Sequence, residues 1–337
     1  MKRFACIGIA SILILASCGR RGVFPPVGSY SDIMLVTETG KIEGITELMV
    51  RELQYPIDYY TKEELQFRVK VVPAVRMEKE APAKNMVICG VVRQGDVGGI
   101  IESFIGTSGV REVLEGRHNI FKKTDFPSPG QLTVIVTASS RNSLKNVIAT
   151  YGYEIRDIIE ESNRERLRAY LLQKKERIDL SEKLRAQYGF SVRIPHLYEL
   201  NQERAEVPGI EIVRLMPHRG LTVSWHSWKS GEPSVADSTG LFELRARLAW
   251  EMYDKDVMRR ELVSFTPDKL GPYDTVRMDG YWENTEGVYG GPFVCFFVYD
   301  RIKSRLWMVD CVVYAPGFNK HTLLRELRAV AETFRLG

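Results

Sequence analysis

Histidine and cysteine are scarce in this 337-residue sequence, five of each, and neither sign of charge dominates, the formal balance being only +4. None of the histidines, His118, His196, His218, His226 and His321, belongs to a His-Glu-x-x-His pair, the spacing that sets two imidazoles on one helical face, so a zinc hydrolase of that type is excluded. His218 and His226 fall near the facing ends of an expected hairpin but have no third ligand beside them, and no metal or cofactor is expected. So small a net charge supplies no basic face of the kind nucleic acid requires, and no nucleic-acid partner is expected. Gly90, Gly95, Gly98 and Gly99 follow an apolar run yet match neither the dinucleotide fingerprint nor the P-loop. Gly106-Thr107-Ser108-Gly109-Val110 ends in valine where a nucleophile elbow has glycine. No catalytic residue is assigned, and the sequence reads as a non-catalytic binding or scaffolding module. The alternative is a hydrolase acting on a lipid or polymer, with a site assembled only in the tertiary structure.

No apolar run is long enough to span a bilayer, which takes about 20 residues of helix. The longest at the start, Phe4 to Leu15 after the basic Lys2 and Arg3, is a secretory signal by length and flanks. It closes on Leu15-Ala16-Ser17-Cys18, a leucine, two small residues and a cysteine, resembling the lipobox of bacterial lipoproteins. Cleavage between Ser17 and Cys18, with acylation of the Cys18 thiol, is therefore expected. The body after residue 17 carries 45 basic and 43 acidic residues, so membrane attachment must come from the acyl chains on Cys18, each buried methylene contributing about 0.8 kcal/mol. Gly19 and the absence of an acidic cluster after Cys18 point, by likeness to lipoprotein sorting rules, to the periplasmic face of the outer membrane.

What is abundant is periodic hydrophobicity, at 44% hydrophobic residues in a chain large enough for a substantial core. Strand-like runs fall at Ile33 to Thr37, Phe67 to Val72, Met86 to Val92, Leu132 to Thr137, Phe190 to Ile194, Ile210 to Leu215, Leu221 to Trp228, Val276 to Glu283, Phe293 to Tyr299 and Leu306 to Tyr314. Helical spacing marks a segment near Ile100 to Leu114, a long one from Ser143 towards Tyr188, Thr239 to Tyr253, and Lys320 to Phe334. The later part of the long helix, Arg164 to Arg185, is basic and amphipathic, suited either to lipid headgroups or to a solvated face bridging two halves. The expected architecture is α+β: two similar halves of largely antiparallel sheet covered by helices, with an internal duplication. Signal peptide 1–17, lipidated tether 18–28, N-terminal half 29–160, connecting helix 161–188 and C-terminal half 189–337 complete the plan.

Cys295 and Cys311 lie in two strands joined around Arg301 to Ser304. A loop centred on Lys303 sets them opposite each other, a possible disulfide in an oxidising envelope, the other reading being buried thiols that pack as small hydrophobes. Tyr281, Trp282, Tyr289 and Phe293 around the Gly290-Gly291-Pro292 turn are candidates for a recognition groove, with core aromatics as the alternative. Gly280-Tyr281-Trp282-Glu283, Tyr289-Gly290-Gly291-Pro292-Phe293-Val294, Tyr314-Ala315-Pro316, Lys320 and Glu332-Thr333-Phe334, with Phe190 to Pro195 as a central strand, resemble an uncharacterised family of Bacteroidota lipoproteins with a domain of unknown function. Tyr289 stands where that family usually has methionine. The resemblance implies an architecture and an envelope setting, with an unknown envelope protein or component as partner, and no chemistry.

Overall fold

A computed structural model describes residues 25–39, 44–59, 62–173, 175–201, 208–228 and 231–337. The N-terminal half runs β1 (Asp32–Thr37), α1 (Ile45–Leu53), β2 (Pro56–Asp58), β3 (Glu63–Leu65), β4 (Arg68–Pro73), β5 (Asn85–Val91), α2 (Gly95–Leu114), β6 (Ile120–Thr124), β7 (Leu132–Ala138) and α3 (Arg141–Gln173). Its five-stranded sheet has the order β4-β1-β5-β7-β6, and every pair is parallel except β6 with β7. The antiparallel expectation fails here for a physical reason. β5 and β7 are buried at every position, because α1 and α3 cover one face of the sheet and α2 the other, and strands covered on both faces suit parallel crossovers.

The C-terminal half adds α4 (Ile178–Tyr188), β8 (Phe190–Ser191), β9 (Glu199–Asn201), β10 (Gly209–Arg214), β11 (His218–Ser227), α5 (Ser238–Met252), β12 (Asp256–Met258), β13 (Ser264–Leu270), β14 (Tyr273–Asn284), β15 (Gly290–Asp300), β16 (Arg305–Tyr314), α6 (Lys320–Ala331) and β17 (Arg335–Leu336). An eight-stranded antiparallel sheet, β12-β14-β15-β16-β11-β10-β9 with β13 also on β14, carries α6 and α4 on one face and α5 on the other. The chain as a whole is α+β, but a parallel sheet and an antiparallel meander do not repeat one plan, so the expected duplication is not what the fold contains. His218 and His226 lie at opposite ends of β11 rather than facing across a hairpin.

The β15–β16 register corrects the cysteine pairing. Val294 faces Cys311 and Cys295 faces Asp310, one residue away from the expected match. Because side chains alternate across a strand, that single step puts Cys311 in the core under α6 and Cys295 in the core under α5, and both are free thiols. Alkylation in denaturant without reduction, followed by peptide mass spectrometry, is expected to find both thiols modified; a peptide linking the two would overturn the register.

The long helical pattern is two helices. α3 ends at Gln173 and α4 begins at Ile178, with Lys175 between them at φ 58. α3 belongs to both halves. Leu144, Val147, Ile148, Ile155 and Ile159 pack on the first sheet, and Gly152 admits Glu52 of α1 where a β-carbon would crowd it. Three of the basic positions are held within the fold, while Lys175, Lys183 and Arg185 are exposed. Arg164 and Arg168 bind Glu332 at 2.6 and 2.7 Å, and Arg166 donates to the Lys84 and Gly130 carbonyls and to Asn163 at 2.6, 3.0 and 2.7 Å.

Candidate functional site

The seam between the halves is built on the first turns of α6. A helix start leaves amides without intrahelical acceptors. Asn319 takes the Thr322 amide at 2.8 Å. The carboxylate of Glu64, reaching over from the β2–β3 hairpin, takes the amides of Lys320 and His321 at 2.8 and 3.0 Å. Negative charge is favoured at that end of a helix, which is why a buried glutamate docks the hairpin of one half on the helix of the other.

Docking aligns four side chains from three elements. Tyr59 Oη lies 3.3 Å from His321 Nδ1, and His321 Nε2 lies 3.4 Å from Glu160 on α3. Arg325, one turn beyond His321, forks onto Glu160 at 2.7 and 2.9 Å and donates a third bond to Ser31 Oγ at 2.9 Å. Burial would raise the Glu160 carboxyl, but Arg325 and His321 beside it outweigh that and hold it far below the usual carboxylate range. Burial, reinforced by the Glu64 and Glu160 charges, holds the Tyr59 phenol well above its ordinary value. The Glu160 carboxylate is committed to a forked ion pair, and the Tyr59 phenol stays protonated beside His321. This network fastens the halves together.

Beside it opens a cavity of about 620 Å³ between α3 and the β14–β15 strands, with Tyr55, Tyr153 and Arg156 on one wall and Tyr281 and Pro292 on the other. Arg156 is held by Glu52 and stacks 4.4 Å over Tyr55. A second hollow of about 710 Å³ continues along α3, sharing Tyr153, Asp157, Arg164, Arg277 and Arg328 with the first. Both volumes are in the usual range of small-ligand sites.

The expected groove residues divide by strand alternation. Tyr281 and Pro292 face each other in register and line the cleft. Phe293 also borders it, but its ring belongs to the core beneath α5, 3.7 Å from the Arg245 guanidinium. Trp282 points into that same core and, with Tyr289 and Tyr314, forms an aromatic cluster away from the cleft. Gly290 and Gly291 are strand residues of β15, not a turn. Cys18 and Ser17 lie outside the described residues. The glycine-rich segment after β5 leads into α2, whose Asp96 amide is already taken by Glu38 at 2.9 Å, so an anion from the chain itself occupies the position a phosphate would take.

Sequence reasoning missed Tyr59, Glu160, Arg164, His321, Arg325 and Arg328. A signal was present: Arg156, Glu160 and Arg164 repeat every four residues on α3 beside its apolar stripe, and His321, Arg325 and Arg328 do so at steps of four and three on α6. Among the described residues no group of three or more His, Cys, Asp or Glu is arranged to hold a metal ion.

Comparison with known proteins gives a family model described as a domain of unknown function, DUF4837, matching residues 250–333. That stretch holds the Tyr281, Pro292, Arg277 and Arg328 side of the cleft and leaves α3 and the hairpin outside. No curated protein sequence matches the chain. Among solved structures, LpqN, involved in cell envelope biogenesis of Mycobacterium tuberculosis, is similar at 12% identity and a TM-score of 0.27, over 43% of this chain and 81% of that one. A superposition this loose carries no argument about fold or role.

Proposed function

We propose that the chain is a lipid-anchored cell-envelope protein acting as a non-catalytic binding module, with the cleft between its halves as the recognition site. The observation that carries the binding role is that cleft: a pre-formed opening walled by aromatic rings and by charges already held in ion pairs, the build of a surface that recognises without reacting. The anchor rests on Leu15-Ala16-Ser17-Cys18, and among the described residues no helix is long and apolar enough to cross a membrane. On this reading the acyl chains on Cys18 hold the protein at the periplasmic face of the outer membrane, and the partner is an envelope component.

The anchor is tested by substitution. Cys18→Ala is expected to abolish metabolic labelling with a palmitate analogue and to move the protein from the membrane to the soluble fraction. Label retained by the variant would refute lipidation at this residue.

A further inference from the structure

The two hollows form one continuous cleft whose character changes along its length. At the first end, tyrosine rings stand among five arginines and five carboxylates, Asp157 being shared with the second hollow. Tyr153 is the more exposed platform there, at 71% exposure, with Arg156 6.0 Å over its ring and 4.4 Å over Tyr55. At the second end seven cations and five carboxylates line the hollow, Arg193 and Lys269 being paired outward to Glu176 and Asp274.

Guanidiniums crowd around Arg328. Four guanidiniums, those of Arg164, Arg168, Arg277 and Arg328, share three carboxylates. Glu332 takes Arg164 and Arg168 and lies 3.7 Å from Arg328; Asp268 takes Arg277 at 2.7 Å and Arg328 at 2.8 Å; Asp279 takes Arg277 again at 2.6 Å. The buried Nε of Arg328 has no hydrogen-bond partner. Burial and the neighbouring Arg164 both push the Arg328 guanidinium below its ordinary value, the direction expected where cations crowd without enough counter-charge. Guanidiniums at such a place match the oxygens of a carboxylate or a phosphate.

We propose that the cleft binds an acidic glycan, with its anionic group among Arg164, Arg168, Arg277 and Arg328 and a sugar ring against Tyr153; this deepens, and rests on, the reading of the cleft as a recognition site. The Asp157 carboxylate accepts hydrogen bonds from sugar hydroxyls, and an exposed tyrosine face suits the apolar face of a ring. An acidic peptide is the less fitting occupant. Extended peptides bind by adding to a strand edge, and the β14 edge beside the cleft is already paired, with β13 along Tyr273 to Asp279 and with β12 along Trp282 to Asn284.

The test is titration calorimetry on the whole mature protein with four probes of similar length: an oligogalacturonate, a phosphorylated oligosaccharide, a neutral oligosaccharide and an oligoglutamate. At least one acidic sugar is expected to bind about tenfold or more tightly than the neutral one, with affinity falling as salt is raised. Which of the two binds separates a carboxylate from a phosphate source. Arg168→Gln, at a half-buried position, and Tyr153→Ala, at an exposed one, are expected to weaken that binding by about tenfold with an unchanged melting temperature. Equal binding of the neutral sugar, equal or tighter binding of oligoglutamate, or no binding by either acidic sugar overturns the proposal. Photo-crosslinking from position 153 in intact cells separates the two levels. Capture of an envelope component without acidic-sugar binding refutes the glycan and leaves the binding module standing, whereas neither capture nor binding refutes both.

Discussion

Glu160→Ala is expected to lower folding stability by about 3–5 kcal/mol, because it leaves the Arg325 guanidinium, fully buried between the halves, without its counter-charge. The double variant Glu160→Leu with Arg325→Met is expected to recover much of that loss, since apolar groups of similar volume need no partner. Equilibrium denaturation of the three variants against the parent measures both effects; a double variant as unstable as Glu160→Ala would show that packing, not the orphaned charge, sets the loss. The same pair gives a pH dependence whose sign follows from the depressed Glu160 carboxyl. Its stabilisation is fully present above the unfolded carboxylate value of about 4.3 and is lost as pH falls from there towards the lower folded value. The parent is therefore expected to lose more stability than the double variant on acidification below about pH 4.

These residues show where sequence reading stops. The apolar runs located Met86 to Val92, Leu132 to Thr137 and Leu306 to Tyr314 as strands, and the final helix from Lys320, because periodicity reports burial and each of these is buried as expected. Periodicity says nothing of which strand lies beside which, so the parallel sheet was read as antiparallel. It fixes register only to within a residue or so, which is why Cys295 is expected opposite Cys311 where the sheet sets Asp310. For the cleft, Tyr281 and Pro292 were legible because an aromatic beside a glycine–proline element is a local signal. Glu160 and Arg325 are 165 positions apart and meet only because α3 crosses from one half to the other. Buried charge stripes on helices with clear apolar faces are the readable trace of such seams.

Gly291→Ala is expected to destabilise the protein by about 1–3 kcal/mol or more, and Gly290→Ala to do likewise, for a reason other than turn geometry. Neither glycine has a positive φ; both lie within β15. A β-carbon on Gly291 would overlap the carbonyl oxygen of Val313 on β16, and one on Gly290 would overlap the carbonyl oxygen of Trp282 on β14. The obstacles are backbone atoms of neighbouring strands, which cannot rotate away as a flexible side chain does, so β15 must part from one neighbour or the other. Pro292 beside them pairs with Tyr281 on β14, and the β15–β16 ladder begins after it, at Phe293. Gly99→Ala supplies the control. It lies in α2 with open space where the β-carbon would go, and it is expected to stabilise by about 0.4–1 kcal/mol. Calorimetric melting of the three variants separates the cases. Tm values for Gly290→Ala and Gly291→Ala matching the parent would mean that the strands part freely here. A clear drop would make the close approach of β14, β15 and β16 the reason for the glycine pair, and would tie the Tyr281 and Pro292 wall of the cleft to that approach.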